Sequence, residues 1–384
     1  MKTIGGVRAL SQHQLSSSML FKTSKAALRR PLIQFQGQWA AARTTNRRSA
    51  YIHDNPLNPI RCQTVAAMSA SQPVDTGLTR SATFLVFSVL RTDSSMRAVR
   101  SVLSSVPNIT KNISIRDTNA NLTCVVGIGS RAWDSLMRLP RPAQLHPFPE
   151  VRGAKQTAVS TPGDLLFHIR SERRDMCFEL ERQLIEKLGD TVQLEDQTVG
   201  FRYFDARDLL GFVDGTANPV GPSAISDVVM ISEEDEDSNA TTVGGSYVVV
   251  QKYLHDLKAW KALSTEQQEA IIGRTKLDNI ELEDADDGQQ QSHKTLATIE
   301  DASGKEHAVL RDNMPFGSPS TSQYGTYFIA YSRHLWVVEK MMERMFLGNP
   351  RGLHDRILDF STPITGSTFF APSLSVLKGL GDEE

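Results

Sequence analysis

Through the middle of the chain, apolar side chains recur in two rhythms. Runs rich in β-branched and aromatic residues stand at 82–90 (ATFLVFSVL), 121–128 (NLTCVVGI), 164–169 (DLLFHI) and 191–204, and such runs predict strands. Between them, 94–106 and 173–188 place apolar positions three and four apart, as in CFELERQLIEKL, which predicts helices buried along one face. The order strand, helix, strand, strand, helix, strand is that of a split βαβ unit. A second set follows, with a strand over 246–257 and a helix over 264–274. A strand over 324–332, a helix over 334–346 and a closing strand over 362–372 complete it. Ser264-Thr-Glu-Gln opens the first of these helices with a hydroxyl cap and an amide three residues on. Two such units in tandem predict the α+β class, antiparallel sheets covered by helices. The halves share a pattern and no convincing sequence identity.

Charge divides the chain unevenly. The net charge of the 384 residues is −2, yet residues 1–53 carry nine Lys or Arg and no acid. From Asp54 onward 33 basic side chains face 44 acidic ones. A body that acidic lacks the basic face that nucleic acid requires. No apolar run approaches the roughly 20 residues of a membrane helix. The start, rich in Arg, Ser and Ala, lacks the compact apolar core of a secretory signal. It predicts an organellar transit peptide and linker over 1–68, mitochondrial first and plastid second, with the folded part beginning near Arg80. Of the three cysteines, Cys62 falls in that segment, and Cys124 and Cys177 form no Cys-x-x-Cys pair. A zinc site or disulfide framework is not expected.

Residues 275–323 show little periodicity, and a compact domain rarely keeps so long a loop without a use for it. Three features stand out in or near this stretch: GFVDGTANP at 211–219, His293 in QQQSHKTLA, and LRDNMPFG at 310–317. Gly211 and Gly215 bracket Asp214 and permit tight turns. No Lys-Ser/Thr follows them and no Gly-x-Gly-x-x-Gly is present, so neither nucleotide-binding loop fits. By residue type, Asp214 reads more readily as an Asp closing a turn than as a carboxylate held near a ligand. His293 reads as a surface residue or as the single imidazole that haem iron accepts, with His307 a competitor. Arg311 reads as half of a structural ion pair or as a donor fork over a reacting anion. The acidic runs at 233–237 and 283–287 miss calcium-loop spacing and read as solvated loops.

Taken together, GFVDGTANP, IIGRTK, SHK, LRDNMPFG, FGSPSTSQYGTYFIAYSR, MFLGNP and DRILDFSTPITGSTFF resemble the dye-decolorising peroxidases, in particular the bacterial-type branch. The likeness is densest from Gly211 to Pro372 and extends more loosely back to about Ser71. It implies tandem ferredoxin-like units of the dimeric α+β barrel type, with an N-terminal half over 69–205 and a haem-binding half over 206–384. It implies one haem b per chain with His293 as axial ligand of the iron and Asp355 as partner of that imidazole, Asp359 being second choice. Asp214, Arg311 and Asn313 become the catalytic residues on the peroxide side. Arg274, Gly215 and Arg311 become cofactor contacts, and His307 drops out.

The activity so implied is reduction of hydrogen peroxide and one-electron oxidation of organic donors, dyes included. Asp214 moves the peroxide proton, Arg311 stabilises developing negative charge, and Asn313 orients water or peroxide. Trp260, Trp336 and Tyr331 are candidate relays to bulky donors. A homo-oligomer is expected by the same analogy. The alternative on this scaffold is a haem carrier or a haem-processing protein that removes iron or decarboxylates a precursor. Against it stands the pairing of Asp214 with Arg311, which such a protein does not need.

Overall fold

The computed structural model describes residues 70–236 and 238–381. The segment expected to be a transit peptide and linker, 1–68, lies outside the described residues. The first half runs β1 (Ser81–Val89), α1 (Asp93–Ser114), β2 (Thr123–Gly129), α2 (Ser130–Met137), β3 (Val151–Arg152), β4 (Thr157–Ala158), β5 (Leu165–Ser171), α3 (Arg174–Leu188) and β6 (Val192–Phe201). The second begins with α4 (Pro222–Val229), β7 (Ser246–His255), α5 (Leu257–Lys261), α6 (Thr265–Ile272), α7 (His293–Ala297), β8 (Ile299–Glu300) and β9 (Glu306–His307). It continues through β10 (Leu310–Arg311), β11 (Met314–Ser318), β12 (Gln323–Ser332), α8 (Leu335–Leu347), β13 (Ser361–Pro363), β14 (Ser367–Ala371) and α9 (Leu374–Gly379).

One antiparallel sheet holds both halves, in the order β10-β12-β7-β14-β2-β5-β1-β6, with β11 added on β12 and β13 on β7. Each half repeats one arrangement, in which its principal strands lie second, third, first, fourth. That is the ferredoxin-like order, so the architecture is a tandem of ferredoxin-like α+β units. The sheets of the two halves are fused into one, because Phe369 and Phe370 of β14 pair with Gly129 and Ile128 of β2. At the far ends Gly200 of β6 lies against Met314 of β11, so the sheet curls and its edges approach.

Curling gives β1, β2, β5, β7 and β14 two buried faces, which is why these strands read as continuous apolar runs. On the outer face Leu85, Phe87 and Phe167 pack under Val99 and Leu103 of α1 and Leu180 of α3. On the inner face Phe84 and Leu166 of the first half meet Val248, Tyr327, Ile329 and Phe369 of the second. Helix α1 runs eight residues beyond the expected 106, through Pro107. Val106, Ile109 and Ile113 continue its buried stripe, and that burial outweighs the cost of an internal proline. Helices α2 and α4 were not expected; each is eight residues long, too short to show a period. The closing strand divides into β13 and β14, which pair with different stretches of β7. The stretch 275–323 holds α7 and the short strands β8 to β10, together with β11, and these carry the site.

Candidate active site

The Gly-rich loop is built by its own residues. Gly211 and Gly215 adopt φ of 96° and 75°, values that glycine reaches without penalty. Arg207 Nη1 donates to the carbonyls of Gly211 (2.9 Å) and Lys276 (2.6 Å). Asp208 accepts from Phe212 N–H at 2.9 Å. Inside this frame Asp214 Oδ1 accepts from Gly215 N–H at 2.7 Å and from Asn313 Nδ2 at 3.3 Å. Asn218, the Asn of the same motif, treats Arg311 as a strand would. Its Oδ1 accepts from Arg311 N–H at 2.9 Å and its Nδ2 donates to the Arg311 carbonyl at 2.7 Å. Sequence reasoning missed Arg207, Asp208 and Asn218; the last two stand within and just before the motif it singled out, which was the available signal.

Asp214, Gly215, Arg274, His293, Arg311 and Asn313 line one cavity of about 1450 Å³, counted to its open mouth. Every residue of that lining is at or beyond Asp208. Burial lowers the Arg311 guanidinium from its ordinary range, with the Asp214 charge opposing the shift and Arg274 adding to it. Its Nε is buried without a protein partner. Asp208, also in the lining, is pushed up to about 7 by burial and by the Asp214 charge.

His293 stands first in α7, just after the cap residue Ser292. Its Nδ1 bonds Asp355 Oδ2 at 2.6 Å, and Asp355 is fully buried. The other carboxylate oxygen, Oδ1, accepts from Ile357 N–H at 3.0 Å, and the Asp355 N–H donates to the Met345 carbonyl at 2.8 Å. The carboxylate is therefore fixed, and it fixes the ring. Burial pulls the His293 imidazole down, but the charge and hydrogen bond of Asp355 outweigh burial and hold it above its ordinary value. Among the described residues its Nε2 has no hydrogen-bond partner. Asp359 bonds His354 (3.1 Å) and Arg356 (2.6 Å) instead.

Arg274 lines the cavity while donating to Glu281 at 2.7 Å. His307 also lines it, with Nε2 on Asp301 at 2.8 Å. His255, which sequence reasoning did not single out, bonds Ser361 and Thr326 hydroxyls and is lowered to about 4 by burial. Trp260 and Tyr331 are buried, and Trp336 is partly exposed against the His307 ring. The acidic runs engage cations: Asp235 pairs with Arg333 and Asp284 with Lys294. Cys124 and Cys177 are free and buried. Among the described residues no helix is long and apolar enough to cross a membrane.

Two family models match the chain: Dyp-type peroxidase, N-terminal, over residues 71–202, and Dyp-type peroxidase, C-terminal, over 205–376. A dye-decolorizing peroxidase of Brevibacterium linens is 50% identical over 293 residues, 76% of this chain and 78% of that one. One of Mycobacterium tuberculosis is 49% identical over 80% of this chain and 89% of that one. A solved DypB variant from Rhodococcus jostii RHA1, in complex with heme, superposes with a TM-score of 0.77 at 49% identity, covering 82% of this chain and all of that one. These relatives are bacterial, which overturns the expected transit peptide and the mitochondrial or plastid location. The physical reason is that a cationic, acid-free stretch records charge and carries no address by itself.

Proposed function

The chain belongs to the Dyp-type peroxidase family and is a peroxidase, and from that premise we propose how its residues divide the work. The cofactor is haem, here assigned as haem b, one per chain, in the half spanning 206–384. The residues fit that group. The cavity presents an imidazole whose Nε2 has no partner among the described residues and whose Nδ1 is held by a buried carboxylate. A buried arginine with an unpartnered Nε lines the same space. His293 takes the iron, and Arg274 with the Gly215 backbone contacts the cofactor's edge.

When bound, haem would supply the iron at which peroxide is cleaved and would hold the two oxidising equivalents that peroxide provides until donors return them one electron at a time. Asp355 makes the His293 ring a stronger donor, because the Nδ1–H bond to a carboxylate gives the imidazole anionic character. Asp214 takes the proton from one peroxide oxygen and returns it to the other, a general acid–base role worth about 10²–10⁴-fold. Arg311 offers donors to the charge that grows as the O–O bond lengthens, and in a buried setting that stabilisation is large. Asn313 holds the Asp214 carboxylate at 3.3 Å and so keeps the shuttle oriented. A second, narrower cavity reaches Asp214, Gly215, Arg311 and Asn313 from Leu78, Arg202 and Tyr203. Peroxide is small enough for that route, which leaves the wider mouth to organic donors. Self-association is the proposed assembly, supported by the exposed apolar side chains Phe178 of α3 and Leu194, Val199 and Phe201 of β6.

The observation that carries this reading is the convergence of Asp214, Arg311, Asn313 and the His293–Asp355 pair on one cavity. The test is the absorption spectrum of the haem-loaded protein before and after one equivalent of peroxide, beside His293→Ala. A ferric spectrum that converts rapidly in the wild type, with loss of haem in the variant, supports it. Bleaching without conversion points to the carrier or haem-processing alternative, and failure to bind haem rejects the reading altogether.

A further inference from the structure

Arg311 and Asn313 line the cavity, and the residue between them does not. Asp312 is 1% exposed, and its carboxylate turns into the interior of the curled sheet. There it meets Arg170 of β5, whose Nη1 donates to Asp312 Oδ2 at 2.7 Å. Arg170 itself is fully buried. Its guanidinium also donates to the Thr76 hydroxyl at 2.7 Å, to the Thr76 carbonyl at 3.3 Å and to the Pro73 carbonyl. His168, two residues earlier on the same strand face, bonds the Tyr331 hydroxyl at 2.8 Å and brings Nε2 to 3.9 Å from Asp312 Oδ2.

This cluster is a poor device for stability. A buried ion pair is often no better than apolar side chains of similar volume. Here three buried atoms, Asp312 Oδ1, Arg170 Nε and His168 Nε2, also lack a protein partner, a further cost. What the pair does accomplish is to fix residues 311–313. The other ties on that segment come from the second half itself. Asn218 holds the Arg311 backbone, Asp312 N–H donates to the Ile329 carbonyl at 3.1 Å, and Asn313 Oδ1 accepts from Ile329 N–H at 3.1 Å. The tie through Asp312 to Arg170 reaches across from the first half.

We propose that Asp312, clamped by Arg170, is a positioning residue for Arg311 and Asn313, so that the first half sets the geometry of the peroxide site housed in the second. The inference rests on the peroxide-side roles given above to those two residues. Successive residues of an extended segment face opposite ways. Anchoring the middle side chain on one face therefore aims its two neighbours on the other. A catalytic group loses much of its effect when it shifts by an ångström, so a clamp need not touch peroxide to matter.

The experiment uses the haem-loaded protein with Asp312→Asn, the apolar double variant Arg170→Met/Asp312→Leu, and Arg311→Leu for comparison. Measured are kcat/KM for hydrogen peroxide, KM for an organic donor, affinity of the ferric protein for fluoride, and Tm. We expect Asp312→Asn and the double variant each to lower kcat/KM for peroxide at least tenfold and to weaken fluoride binding. Donor KM should stay near wild type in both variants, and Tm in the double variant, which a merely structural role would not give; Asp312→Asn leaves the buried Arg170 charge without its counter-charge and should lower Tm as well. Wild-type peroxide kinetics and fluoride affinity in the double variant overturn the proposal; if that variant does not fold, the same result in Asp312→Asn overturns it. An Arg311→Leu variant that leaves both quantities unchanged shows instead that the peroxide-side reading has failed.

Discussion

A proton on His293 Nδ1 has one place to point, the buried Asp355 carboxylate 2.6 Å away. Replacing Asp355 by Asn keeps an acceptor and removes its charge, so the ring loses its anionic partner. Loss of such a partner typically costs about 10–100-fold in affinity or activity. Titration of the Asp355→Asn protein with haem, followed by peroxide kinetics, should show one or both. Asp214→Asn should keep haem and a normal ferric spectrum while kcat/KM for peroxide falls about 10²–10⁴-fold; stopped-flow mixing with peroxide checks it. Asp208 gives a different signature. Burial and the Asp214 charge raise its folded-state pKa to about 7, well above the ordinary carboxylate range, so the folded protein binds the extra proton in between. Stability therefore declines as pH rises from about 4 to 7. Asp208→Asn, whose amide oxygen can still accept from Phe212 N–H, should flatten that decline in Tm measured on the haem-free protein. An unchanged pH slope would show that Asp208 is not its source.

Elements were legible wherever one face repeats long enough to show a period. The principal strands and the helices α1, α3 and α8 follow from apolar spacing, α6 from its Ser264 cap signal, and the two halves follow from their order. Less visible was what tertiary contact decides. Helix α1 crosses Pro107 because Ile109 and Ile113 still reach the core. β10 is two residues long and has no period of its own. It is held by Tyr331 and Ala330 of β12 and by the side chain of Asn218. The site is legible in a similar way. Asp214, His293 and Arg311 stand out through motif and resemblance, whereas the frame around them does not. Asn218 and Asp208 act through hydrogen bonds to backbone that no residue pattern announces. Asn218→Ala leaves two Arg311 backbone groups without their partner, each worth about 1–3 kcal/mol where buried. That variant should lose both stability and peroxide kcat/KM, with donor KM little changed. Combined with Arg311→Leu, it should add little further loss in kinetics, since the two residues serve one function.

Residues 70–381 are built on one main sheet made from two similar halves, and that bears on how they unfold. Domains with separate cores unfold separately when few contacts join them. Here β14 of the second half pairs with β2 of the first, and the inner-face cluster draws on Phe84 and Leu166 from one half and Val248, Ile329 and Phe369 from the other. Neither half can open without exposing the inner face of its neighbour. Calorimetry of the haem-free protein should therefore show a single cooperative transition for residues 70–381. Phe369 is the sharpest probe, because it is fully buried at the join and both Gly127 and Gly163 lie against its side chain. Truncation to Ala leaves a cavity there and should cost about 3–5 kcal/mol. If the halves are coupled as their contacts imply, Phe369→Ala lowers the one transition as a unit. A variant that splits into two transitions, one near the wild-type temperature, would show that the halves hold separate cores and that the shared sheet joins them only weakly.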